Sequence, residues 1–64
     1  MHDENVIDLQ DWMKRRQWVG SGGEAKVVIQ GGQVRVNGEV ETRRRRKLRP
    51  GDVVEFGDRR EPAF

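Results

Sequence analysis

The stretch SGGEAKVVIQGGQVRVNG, residues 21–38, reads as a capped helix, a glycine stop, a strand and a tight turn. Ser21 and Glu24 have the S-x-x-E spacing of a capping box, in which each side chain bonds the other residue's free backbone N–H. Ala25, Val28 and Ile29 form one apolar helical face, and Gly31-Gly32 ends the helix where a left-handed residue is needed. Val34 and Val36 alternate with Gln33 and Arg35 as a half-buried strand does, up to the turn pair Asn37-Gly38. Two glycines in the first turn, Gly22 and Gly23, each cost up to about 1 kcal/mol relative to alanine. That cost points to a close backbone approach, and a helix amino end suits a phosphate. Gly23, Lys26 and Gln30 share the side away from the apolar face. The competing explanation is a plain glycine turn with Lys26 as solvated surface.

Working outward, Asp8 caps a first helix over about residues 8–17, with Leu9, Trp12 and Met13 on one arc. Lys14 and Arg15 lie on its flanks, and the stem of Arg16 packs with its head escaping to solvent. Trp12 is expected in the core. Trp18, in the connector, is expected there too, with a base-stacking surface as the alternative. Val6-Ile7 supplies an edge strand or a hydrophobic plug, and Met1–Asn5 a loose lead-in.

The hairpin after Val36 has two possible registers. A two-residue turn pairs Val36 with Glu39 and turns Val40 away from the Val34 face. A three-residue loop, Val36-Asn37-Gly38, pairs Val34 with Val40 and keeps both toward the core. Burial favours the three-residue form, with Gly38 left-handed as a bulge. Beyond it stand Arg43-Arg44-Arg45-Arg46-Lys47-Leu48-Arg49, with Leu48 alone pointing inward. Pro50-Gly51-Asp52 is a turn, Val53–Phe56 a last short strand, and Asp58–Phe64 a loosely ordered tail.

Sixty-four residues without cysteine allow one small domain, with no disulfide framework or thiolate metal site. The lone histidine, His2, cannot build a metal cluster, and no apolar run approaches a membrane span. Hydrophobic residues are 33% against 38% charged, yet they are periodic, which favours a folded domain over disorder. The net charge of +2 hides a segregation: residues 14–49 carry +8, residues 1–13 carry −4 and residues 50–64 carry −2. Positive charge gathered in the middle is the footprint of a polyanion-binding face.

The fold class expected is α+β, two short helices packed on a small, mostly antiparallel sheet. In that order of features the chain resembles the RNA-binding domain named after ribosomal protein S4, also called the αL motif. The matching residues are Ser21, Ala25, Gly32, Val34, Val36, Asn37, Gly38, Leu48, Gly51, Asp52 and Val54, and the match spans about residues 6–57. The SGGEAK and TRRRRKL versions are similar to the small stand-alone bacterial members. The resemblance implies a monomeric, cytoplasmic binder of structured RNA, ribosomal or transfer, or of a ribosomal particle, with no cofactor and no small-molecule substrate. It implies RNA contacts at Lys14, Arg15, Ser21, Gly22, Gly23, Lys26, Arg43, Arg44, Arg45, Arg46 and Lys47. Many members carry Arg-Leu-Asp where this chain has Asp8-Leu9-Gln10-Asp11, and Ser-Arg where it has Ser21-Gly22. The run at 43–47 is the candidate replacement for those missing arginines.

Two other classes compete. A β-grasp or pure protein-interaction module shares V-N-G and L-x-x-G-D-x-V, but a sulfur carrier needs a carboxy-terminal Gly-Gly, and this chain ends Pro62-Ala63-Phe64. Catalysis is disfavoured, since no histidine, cysteine or paired carboxylates sit in the folded body.

Overall fold

The computed structural model describes residues 6–64; the lead-in Met1–Asn5 and His2 lie outside the described residues. The element order is β1 (Ile7–Asp8), α1 (Leu9–Arg15), α2 (Gly22–Gln30), β2 (Val34–Val36), β3 (Glu39–Val40), β4 (Lys47–Leu48), β5 (Val53–Phe56) and β6 (Arg59–Pro62). Two helices pack on each other and share one core with a four-stranded antiparallel sheet of order β3-β2-β5-β6, while β1 and β4 form a separate antiparallel pair. The α+β class is as expected. Both helices precede the sheet, which does not fit a β-grasp module.

Local chemistry sets the helix ends. Asp8 accepts from the Asp11 N–H at 2.8 Å and starts α1. The helix is shorter than the spacing predicts, because Gln17 adopts a left-handed φ of 59°. The N–H groups of Gln17 and Trp18 then reach back to the carbonyls of Lys14 and Met13, a Schellman stop made without glycine. Ser21 accepts from the Glu24 N–H at 3.1 Å and starts α2. The reciprocal half of the box differs: Glu24 accepts from the N–H of Gly20, not of Ser21, at 2.7 Å. Gly32, with φ of 80°, closes α2 by the same pattern, Gln33 N–H to Val28 and Gly32 N–H to Ile29.

The core gathers Leu9, Trp12, Met13, Trp18, Val19, Ala25, Ile29, Val34, Val36, Leu48, Val54 and Ala63. Trp12 and Trp18 meet edge to face with centroids 4.8 Å apart, so Trp18 is a core residue rather than an exposed stacking platform.

Two expectations are corrected. The hairpin takes the two-residue register, Val36 opposite Glu39 and Arg35 opposite Val40. Asn37 and Gly38 are both left-handed, at φ of 55° and 83°, as a type I′ turn requires, so there is no bulge. Val40 is left half exposed, and Glu41 takes the core-facing place beside Val34. The second correction is the tail. Arg59–Pro62 is strand β6, paired with β5 across the two-residue turn Gly57-Asp58. The Ala63 carbonyl accepts from the Trp12 indole N–H at 2.9 Å, Ala63 is buried, and Arg16 pairs with Glu61. A Gly-Asp pair is a hairpin signal, but Arg-Arg-Glu-Pro carries no strand propensity, and only pairing with β5 makes it one.

Candidate nucleic-acid interface

The basic stretch is strung between two turns that are tied together. Asn37 donates from Nδ2 to Asp52 Oδ1 at 2.9 Å, and its Oδ1 accepts from the Val53 N–H at 2.9 Å. Asp52 Oδ2 in turn accepts from the Arg49 N–H at 2.9 Å. The hydrogen bond from Asn37, then that from the Arg49 backbone, holds the Asp52 carboxyl below its usual range. Asn37 and Asp52 thus fix where the loop leaves the sheet and returns. Buried Leu48 pins its far end.

Glu41 holds the near end. Its Oε2 accepts from the backbone N–H and the Nε of Arg43, both at 3.0 Å. Its Oε1 accepts from Arg43 Nη2 at 3.1 Å and from Arg46 Nη1 at 3.0 Å. The side-chain bond from Arg43 outweighs the burial that would raise it, and Glu41 titrates at about 2. Charge-assisted, bidentate geometry of this kind sets direction as well as energy.

The loop also docks on the start of α1. The N–H groups of Leu9 and Gln10 donate to the carbonyls of Arg46 and Arg44, each at 2.9 Å. The amino end of α1 is therefore satisfied by the loop. Gln10 reaches toward α2, its Nε2 3.0 Å from where a Cβ on Gly22 would stand, so a side chain there would displace only the end of Gln10. Gly23 has only Ser21 Oγ at 3.8 Å, so packing does not require it. Gly22 and Gly23 N–H groups carry no hydrogen bond among the described residues.

Of the remaining predicted contacts, Lys14, Gly23 and Lys26 are exposed, and Arg15 is exposed but paired with Asp11 at 3.2 Å. Lys14 borders a shallow cleft at the helix connector with Gln17, Trp18, Gly20 and Glu24. The Ser21 hydroxyl is engaged in its cap. The structure brings Arg43, Arg45, Arg46 and Lys47 around one concavity of about 610 Å³ and adds Arg49 to them. Arg44 is half buried and outside that lining, with its carbonyl turned to α1.

Sequence reasoning missed Glu41 and Arg49. The two-residue Asn37-Gly38 turn was the available signal for Glu41, because it sets that residue opposite Val34. Among the described residues no three His, Cys, Asp or Glu side chains gather as a metal site, and no helix is long and apolar enough to cross a membrane.

Comparison with known proteins shows the family of the chain. The family model described as the S4 domain matches residues 2–61. Over 50 residues the chain is 46% identical to "Putative RNA-binding protein YbcJ" of Escherichia coli (strain K12), covering 78% of this chain and 71% of that protein. Over 54 residues it is 43% identical to "Probable ribosome maturation protein RlbA" of Bacillus subtilis (strain 168), covering 84% and 76%. No solved structure gives a significant match.

Proposed function

The chain belongs to the S4 domain family, and from that premise we propose that it binds structured RNA, ribosomal or transfer, through the arginine loop and the adjoining helix pair. One observation carries the proposal: Arg43, Arg45, Arg46, Lys47 and Arg49 line a single concavity on a loop bonded to the start of α1. Five cations on one face neutralise phosphates and release counterions. Fixed spacing selects backbone shape over base sequence, as recognition of folded RNA does. Lys14, Arg15 and Lys26, with the free N–H groups of Gly22 and Gly23, extend the interface along the helices. The role is binding without catalysis, as a single-domain monomer acting on cytoplasmic RNA. The relatives' names, one RNA-binding and one of ribosome maturation, support a ribosomal target.

The test replaces Arg45, Lys47 and Arg49 by serine, leaving the two arginines bound to Glu41 in place. Wild type and variant are titrated against a folded ribosomal RNA fragment at several salt concentrations. The slope of log affinity against log salt is expected to shrink by about 0.7–0.9 for each phosphate that is no longer neutralised, while the fold persists. An unchanged slope in a folded variant removes the three replaced side chains from the binding site.

A further inference from the structure

Strand β3 turns Glu41 to the face that Val34 and Val36 occupy, where an aliphatic side chain is the ordinary choice. A carboxylate there is costly unless fully paired. Four donors meet it, three from Arg43 and one from Arg46. Both arginines line the concavity of the loop. An arginine has five N–H donors on its guanidinium. Glu41 takes two of these from Arg43 and one from Arg46, so most of each fork remains for an outside anion.

Resting on the RNA-binding reading above, we propose that Glu41 is a positioning residue: it presets Arg43 and Arg46 as fixed walls of the concavity, so that folded RNA is preferred over flexible polyanions. Ordering a long side chain on binding costs roughly twofold to tenfold in affinity, and the clamp removes that cost beforehand. Against this, a carboxylate near phosphates repels them, and its removal adds one positive charge to the chain. Positioning and charge number therefore predict opposite signs for the loss of Glu41.

Glu41→Gln keeps the shape but raises the formal net charge from +2 to +3. The amide has one acceptor oxygen in place of two, so it cannot keep all four bonds: with its oxygen at the Oε1 place it loses the pair from the Arg43 N–H and Nε, and with its oxygen at the Oε2 place it loses those from Arg43 Nη2 and Arg46 Nη1. Arg43→Lys keeps every charge and the Arg46–Glu41 pair but loses the two-pronged bond. Binding of each full chain is measured on a base-paired ribosomal RNA hairpin and on single-stranded poly-uridine at one salt concentration, beside thermal melts. For Glu41→Gln, hairpin affinity is expected to fall by roughly twofold to tenfold, with poly-uridine affinity equal or higher. For Arg43→Lys, a smaller fall on the hairpin with unchanged poly-uridine binding is expected. A folded Glu41→Gln that binds the hairpin as tightly as wild type, or more tightly, overturns the proposal. If that variant does not fold, an Arg43→Lys indistinguishable from wild type on both RNAs overturns it instead. Wild type that binds neither RNA overturns the RNA-binding reading itself, a result separate from loss of discrimination in the variants.

Discussion

In the loop from Glu41 to Arg49, two arginines are paired to one buried carboxylate and the backbone is bonded to α1. Along the helix pair, Lys14 and Lys26 stand exposed with no ion pair among the described residues, and Arg15 has only Asp11. Both regions are basic, but their side chains differ in freedom. A held guanidinium offers a set direction and distance. A free lysine offers charge alone, screened beyond about 10 Å at 0.1 M salt and adaptable to many partners. The loop is thus suited to choosing among RNA shapes, and the helix face to adding affinity once the choice is made.

The sharpest break of this contrast is in stability. Glu41→Ala strands the half-buried guanidinium of Arg46, and a loss of about 1–3 kcal/mol is expected. Lys14→Ala and Lys26→Ala are expected to stay within about 0.5 kcal/mol of wild type. Urea melts of the three variants compare them directly; equal losses would mean the two regions do not differ in anchoring.

Acid separates the regions next. Glu41 titrates at about 2 in the folded chain against an ordinary 4.5, so its contribution is complete above about pH 4.5 and is lost as pH falls toward 2. Asp52, also held low, loses its share in an acidic window too. The stability gap between wild type and Glu41→Gln should therefore shrink from neutral pH to about pH 2. A constant gap would show that the carboxylate charge does not hold the loop.

The smallest effect expected is on the helix side. Gly23→Ala meets no clash, and it should leave stability unchanged or raise it by up to about 1 kcal/mol. Affinity for the ribosomal RNA fragment should nonetheless fall, because a methyl group would stand where a phosphate approaches the free N–H groups. Unchanged affinity would reduce Gly23 to a turn residue.

How much of this was legible in the chain depends on the range of the interaction. The S-x-x-E start of α2, the Gly32 stop and the Asn37-Gly38 turn are each decided within a few residues, and each stands at the position its local pattern indicates. The α1 stop at Gln17 is not legible, because the left-handed position is filled by a residue that does not announce it. Of the interface, the basic run was visible as charge. Which arginines it presents was not, because that depends on a hydrogen-bond partner buried by the sheet.

By itself, then, the sequence determined the two helix starts, the glycine stop of α2, the place of the Asn37-Gly38 turn, the apolar faces and the separation of charge, since local hydrogen bonding and side-chain period set all of these. Tertiary structure alone decided the hairpin register, in which a paired Glu41 displaced Val40 from the core face. It also made a strand of Arg59–Pro62, because pairing with β5 and the Trp12 bond to Ala63 outweigh weak local propensity. Both outcomes turn on contacts between residues distant in the chain, whose energies no short window of sequence contains.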